Sequence, residues 1–304
     1  MPLVAGVDEA GYGPKLGPMT VAAFGLSVPG PGPEPLHRCL GGDFPVPVRD
    51  SKSLFSPRRG LRRLEESALT LLALATGRLP ATGGELAGLL FPQDRDDVAA
   101  LPWYRQALEE TLPVEAERTR LEDLAGRAAE HAGRHGLGAG LARASVFTER
   151  RLNEIWLRHP NKQAASLAAL KRLLPAVAAG DGALVAVDQQ GGRRRYAGWL
   201  AQIFGPGPLQ RRQRAPGSAY HLPAKNLTVL FQPAADARHP TVAAAGIIAK
   251  YLRELLMGSF YRFWRSRGLE PADGYGGRYR AFLAAARREL PRLGLDAGVL
   301  LRRH

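Results

Sequence analysis

Three places in the chain set a carboxylate at the end of an apolar run or at the head of a helix: Asp8 with Glu9 after Leu3–Val7, Asp188 after Ala183–Val187, and Asp236 ahead of a long helical stretch. A carboxylate leaving a buried strand is desolvated, which is costly unless a cation or hydrogen bonds compensate. Brought together, four such groups repel one another and stay ionised only around a cation. An all-oxygen donor set selects a hard ion, Mg²⁺ or Mn²⁺. Two such ions can activate water and stabilise the leaving oxygen in phosphodiester cleavage. Each acid alone could equally cap a helix or pair with one of the 36 arginines.

The glycines that follow the first acids have their own use. Gly11 and Gly13 permit φ > 0 and let backbone groups approach a sugar with no Cβ in the way. Only a ribonucleotide presents a 2′-hydroxyl there.

Four motifs surround these residues in order: Gly6–Met19 (GVDEAGYGPKLGPM), Arg49–Leu54 (RDSKSL), Ala235–Lys250 (ADARHPTVAAAGIIAK) and Gly274–Gly276 (GYG). They resemble the Asp-Glu-Ala-Gly-Arg-Gly-Pro opening, the Asp-Ser-Lys-Lys-Leu motif, the Asp-containing run into Ala-Ala-Ser-Ile-Ile-Ala-Lys and the late Gly-Tyr-Gly of the ribonuclease HII family. The resemblance covers about residues 1–75 and 183–285. The stretch from Leu152-Asn153-Glu154 to Asn161-Lys162 is weakly similar to a helical segment of the related ribonuclease HIII branch.

The resemblance implies a ribonuclease H-like mixed β-sheet flanked by helices. It also implies an endoribonuclease that hydrolyses the RNA strand of an RNA–DNA hybrid, or cuts at a ribonucleotide embedded in DNA, leaving 3′-hydroxyl and 5′-phosphate ends. Carried across position by position, Asp8, Glu9, Asp188 and Asp236 are the catalytic acids and the ligands of two Mg²⁺ or Mn²⁺ ions, Asp8 bridging both. Asp188 rests on its strand context, with Asp181 and Glu254 as alternatives. Gly11, Tyr12, Gly13 and Tyr275 would read the ribonucleotide and its neighbouring sugar, and Lys52 and Lys250 would meet phosphate. Tyr275 could instead be an ordinary turn tyrosine and the two lysines ordinary surface residues. Tyr12 stands where the family has arginine, Ala234 for a lysine, Gly246 for a serine, and Gly277 and Arg280 for the expected Thr and His. Gln189-Gln190-Gly191-Gly192 after Asp188 has no family counterpart. The rival readings are a nucleic-acid-binding relative that does not cleave, and a nuclease of altered substrate specificity.

The elements that must position these groups are legible in outline. Leu3–Val7 and Met19–Val28 predict two strands around the glycine loop, Ala183–Val187 a buried strand, and Asn226–Phe231 another. Pro29–Pro35 is surface loop. Ser56-Pro57 reads as a helix start before Leu61–Ala75. Arg78–Arg143 reads as helical, giving an insertion at about 78–145, and Thr148–Val177 is helical again. A loop is bracketed by Gly205–Pro208 and Pro216-Gly217. Pro240–Arg265 predicts a long helix with Val242, Ala245, Ile248 and Leu252 inward and Lys250, Arg253, Glu254 and Arg262 outward. Strands alternating with helices give an α/β catalytic domain over 1–255 and a helical C-terminal subdomain over 256–304.

A net charge of +14 implies a polyanionic partner, here nucleic acid. The Gly191–Tyr196 run (GGRRRY) suits backbone phosphate contact or a solvated loop. Cys39 is the single cysteine, so disulfides and thiolate metal cages are excluded and a reducing compartment is expected. With no signal peptide and no apolar stretch of bilayer length, a cytoplasmic monomer without membrane contact is expected. No Gly-x-Ser-x-Gly elbow or phosphate-loop ending is present, and the seven histidines lack metal-ligand spacing.

Overall fold

The computed structural model describes residues 1–304 except Pro31, Asp181, Gly191, Ala215, Pro216 and Arg278, and the side chains of Gln213, Arg214 and Ala297. The chain forms, in order, β1 (Leu3–Ala10), β2 (Met19–Ser27), α1 (Glu34–Leu40), α2 (Arg62–Thr76), α3 (Gly83–Leu90), α4 (Arg95–Ala99), α5 (Pro102–Glu109) and α6 (Arg118–Arg134). Then come β3 (Gly138–Phe147), α7 (Glu149–Arg158), α8 (Gln163–Val177), β4 (Ala183–Asp188), α9 (Ala197–Phe204), β5 (Gln210–Arg214), β6 (Gly217–Leu222), β7 (Leu227–Gln232), α10 (Pro240–Arg265) and α11 (Tyr279–Glu289).

The strands make one mixed sheet in the order β3-β2-β1-β4-β7-β6-β5. Its centre, β1-β4-β7, is parallel, and antiparallel strands flank it on both sides. Val7 pairs with Val187, and Asp188 with Gln232. The carboxyl ends of the three central strands are therefore level, and the acids leave the sheet along one edge.

Alternation along the strands divides the core. Val4, Ala22, Phe24 and Leu26 pack with α2, α5, α6 and α10, whereas Ala5, Val7, Val185 and Val187 pack with α8 and α9. β1 lies close against α10. A Cβ built at Gly6 would fall inside the backbone of Thr241 and Val242, so only glycine fits.

Four expectations need correction. Gly138–Phe147 is a strand, not helix: it pairs along β2, with Ala144 opposite Ala22. Its short Ala and Gly residues and outward Arg143 carry little β-propensity, and pairing with β2 overrides that. The loop expected between Gly205 and Gly217 contains β5 and leads into β6, whose Ser218, Tyr220 and Leu222 face inward at period two. Ser56-Pro57 lies in a turn bridged from Ser56 to Gly60, and the helix starts at Arg62, where Glu115 accepts from the N–H groups of Leu61 and Arg62. Arg253 is buried, at 6% exposure, on the face of α10 expected to be solvated. The bounds of α10 match their expectation, and the four expected strands are present, β1 running on through Asp8 and Glu9 to Ala10 and β7 shifted by one residue to Leu227–Gln232. No helix among the described residues is long and apolar enough to cross a membrane.

Gly6→Ala should separate β1 from α10 and cost about 1–3 kcal/mol by overpacking. Urea unfolding checks this; an unchanged midpoint would contradict the packing at Gly6.

Candidate active site

Period-two alternation from Gly6 turns Asp8 toward α10 and Glu9 toward the opposite face of the sheet. A Cβ at Gly246 would collide with the Asp8 carboxylate, so the glycine found in place of the family's serine is what leaves that carboxylate its floor. Asp236 sits in the short 3₁₀ turn Ala235–Ala237 between β7 and α10. The Ala235 N–H donates to Asp188 Oδ1 at 2.9 Å and fastens that turn to the end of β4. Glu9 N–H donates to Asp8 Oδ1 at 2.8 Å. On the other face Gln190 Nε2 donates to Glu9 Oε2 (3.2 Å) and to the Asp188 carbonyl (3.1 Å).

The charges meet. Burial, then the charges of Glu9, Asp188 and Asp236, push the Asp8 carboxyl well above the usual carboxylate range. Burial raises Glu9 too, with Asp188 adding to it and the Gln190 hydrogen bond opposing, and burial and Asp236 raise Asp188. Other buried acids in the chain are compensated. Glu65 accepts from three backbone N–H groups and the Tyr251 hydroxyl. Asp94 pairs with Arg172 and accepts from Val146 N–H. Among the described residues, no lysine or arginine forms an ion pair with Asp8, Glu9, Asp188 or Asp236.

The four carboxylates feel one another without closing on one point. Among the described residues, no three His, Cys, Asp or Glu side chains are arranged as a metal cage. Uncompensated like charges stand apart for this reason. The donor chemistry, all carboxylate oxygen with its negative charge unbalanced by protein, fits a hard divalent ion.

The glycine loop stands beside these acids on a buried arginine. Gly11 (φ +82°) and Gly17 (φ +85°) hold left-handed backbone at its two ends. Arg302, 1% exposed, donates to the carbonyls of both Gly11 and Gly17, and its own N–H donates to the Lys15 carbonyl. Burial pushes the Arg302 guanidinium down to about 10, against the opposing charge of Glu149. Glu149 accepts from the Gly17 N–H (2.8 Å) and the Tyr104 hydroxyl (2.9 Å). Asn153 anchors the same C-terminal segment through the carbonyls of Gly298 and Leu301.

Lys15 N–H donates to the Gly274 carbonyl at 2.9 Å, joining the loop to the Gly-Tyr-Gly turn. The Tyr275 ring lies beside Gly13 and is 54% exposed, an open face above the loop. The structure thus brings Gly11, Tyr12, Gly13 and Tyr275 together next to Asp8 and Glu9.

The lysines are placed differently. Lys250 donates to Glu254 at 2.6 Å and lies over the Phe55 ring, lining a cleft of about 690 Å³ with Arg253 and Tyr275. Lys52 is exposed in the turn Ser51–Ser53 capped by Asp50. Glu254 pairs with Lys250 and Arg253. It lies eight residues along α10 from Gly246, about 12 Å at helical rise, so it is not a further ligand beside Asp8. The other alternative, Asp181, lies outside the described residues, as does Gly191 of the basic run. Arg302, Glu149 and Gln190 had no sequence signal of their own; Asn153 lay within the segment similar to the ribonuclease HIII branch.

No family model and no curated protein matches the chain. Solved structures do. Ribonuclease HII of Archaeoglobus fulgidus, solved in complex with PCNA, is similar at 16% identity and TM-score 0.44, covering 99% of this chain and 94% of that one. Bst ribonuclease HIII in complex with Mn²⁺ is similar at 15% identity and TM-score 0.49, covering 100% and 67%. Ribonuclease H2 of Pyrococcus horikoshii OT3 gives 16% identity and TM-score 0.43, over 98% and 92%. All three are type 2 or type 3 ribonucleases H, the enzymes whose motifs the sequence resembles. The fold is an α/β mixed sheet flanked by helices, as those motifs implied.

Without divalent ions the folded state holds protons on Asp8, Glu9 and Asp188 above the ordinary carboxylate range. More protons bound folded than unfolded means that stability falls as pH rises from that range through the raised values. Asp8→Asn should therefore raise the melting temperature in chelator at neutral pH. The gain should vanish in acid, where the wild-type carboxyl is protonated in both states; a gain independent of pH would refute the repulsion. Arg302→Met should cost about 1–3 kcal/mol by leaving the Gly11 and Gly17 carbonyls without their buried donors, as chemical denaturation would show.

Proposed function

We propose that the protein is an endonuclease of the ribonuclease H type, dependent on Mg²⁺ or Mn²⁺, that hydrolyses the RNA strand of an RNA–DNA hybrid or cuts at a ribonucleotide embedded in DNA. The observation that carries this reading is the mutual repulsion of Asp8, Glu9, Asp188 and Asp236 at the level ends of β1, β4 and the β7–α10 turn, beside a glycine loop faced by Tyr275. These four residues would hold the ions, which supply Lewis acidity and an activated water for phosphodiester hydrolysis. The remaining work falls to the chain. Gln190 orients Glu9, Ala235 N–H fixes Asp188, and the cleared surface of α10 at Gly246 seats Asp8. Backbone groups of the Gly11–Gly13 loop meet the sugar where a 2′-hydroxyl distinguishes RNA from DNA, and the open Tyr275 ring offers a stacking face. The positive charge of the chain draws in the polyanion. The reading extends to a cytoplasmic monomer acting on nucleic acid.

Three end-labelled duplexes test it: an RNA–DNA hybrid, DNA carrying one ribonucleotide, and all-DNA, each with Mg²⁺ or Mn²⁺. Cleavage of the first two and sparing of the third is expected. Asp8→Asn should lower the cleavage rate at least a hundredfold while duplex binding is kept or strengthened, since a repulsive charge is removed. Binding with no cleavage of any duplex by the wild type would instead mark a non-catalytic relative.

A further inference from the structure

Two cations next to the carboxylate site lie on aromatic faces and have no acid partner among the described residues. Lys162, at the corner between α7 and α8, holds its Nζ over the Tyr12 ring, 4.7 Å from the centroid. The charged groups that act on it are Arg302 and Lys15, both positive, and with burial they lower its affinity for a proton. Arg193, in the segment after β4, lies 4.4 Å over the Trp199 ring and donates from Nε to Gln163 Oε1 at 3.0 Å. Most other arginines that form close polar contacts here meet a glutamate or aspartate. Lys162 is instead set among like charges, and Arg193 meets a neutral amide and an aromatic ring.

They are also wired to the site. Gln163, the neighbour of Lys162, donates to the Gln190 carbonyl at 3.2 Å, and Gln190 donates to Glu9. Tyr12, beneath Lys162, is close enough to Glu9 that the carboxylate, after burial, raises the phenol. On its far side Arg193 opens onto a cleft of about 600 Å³ between α7, α8 and α9, lined also by Arg158, Lys171 and the Arg151–Glu154 ion pair. Phosphates of a strand leaving the carboxylates along this course would meet Lys162 and Arg193, and the aromatic faces beneath hold the cationic groups in place without neutralising them.

We infer that Lys162 and Arg193, seated on Tyr12 and Trp199, form a phosphate-binding site for the nucleic-acid strand flanking the Asp8–Glu9 carboxylates. The site supplies, from the α7–α8 corner and the segment after β4, positive charge that the glycine loop lacks at position 12. This inference rests on the proposed function, because the ligand is taken to be the strand entering that site.

Fluorescence anisotropy of a labelled RNA–DNA hybrid, titrated in chelator across a salt series, tests it. Each neutralised phosphate contributes about 0.9 to the slope of log affinity against log salt. The double variant Lys162→Gln, Arg193→Gln should lose close to two contacts' worth of that slope and bind on the order of tenfold more weakly at low salt. The charge-keeping pair Lys162→Arg, Arg193→Lys should retain the wild-type slope. A glutamine variant with wild-type slope and affinity overturns the site, as does equal loss in both pairs. If the wild type cleaves the hybrid while the glutamine variant keeps its slope, this inference alone fails. If the wild type binds no hybrid, the proposed function fails with it.

Discussion

Asp8 has a floor and no counter-charge. The backbone of α10 runs close enough to β1 that Gly6 and Gly246 are the side chains both surfaces can tolerate, and the Asp8 carboxylate is pressed into the space at Gly246. Three further acids arrive at the same level because the central strands are in parallel register and because the turn after β7 is tied to the end of β4. Packing forces the carboxylates into each other's field, and no arginine among the described residues relieves them. Such a cluster costs stability that apolar residues in its place would not.

The glycine loop shows the opposite economy of charge. Its carbonyls take the donors of one buried guanidinium, whose charge Glu149 balances, and Tyr104 and the Gly17 N–H complete the carboxylate. Every member is satisfied by another, which is the condition under which a buried polar network rigidifies its surroundings. Two designs therefore stand side by side: a closed network that fixes backbone, and an open set of acids whose charge no lysine or arginine among the described residues balances. Tyr275 and Tyr12 stand at the seam between them.

Much of this was legible from the chain alone where the signal is local. The apolar run Ala183–Val187 ended in an acid because β4 does end at Asp188, and the spacing along Pro240–Arg265 gave the helix its bounds. Residues whose role depends on distant partners left no such mark. Strand β3 is built from alanine, glycine and arginine, which read as helix, and its identity comes from pairing with β2. The helical pattern put Arg253 in solvent, yet the glycine loop packs across it and buries it. Arg302 lies in a short basic run with nothing periodic about it. Gln190, in the segment with no family counterpart, holds Glu9 through a contact 181 residues away in sequence.

The bond from Arg302 to Gly17 closes a span of 285 residues. A chain emerging from the ribosome amino end first builds β1, β2 and the loop between them long before the residue that supports that loop exists. Until the segment around Arg302 has been made and has threaded beneath, the loop carbonyls lack their donors and Glu149 its counterion. The glycine loop is therefore left without its support long after β1 and β2 have been made, so a nascent chain already carrying Asp8 and Glu9 holds that loop unbraced until residue 302 joins it.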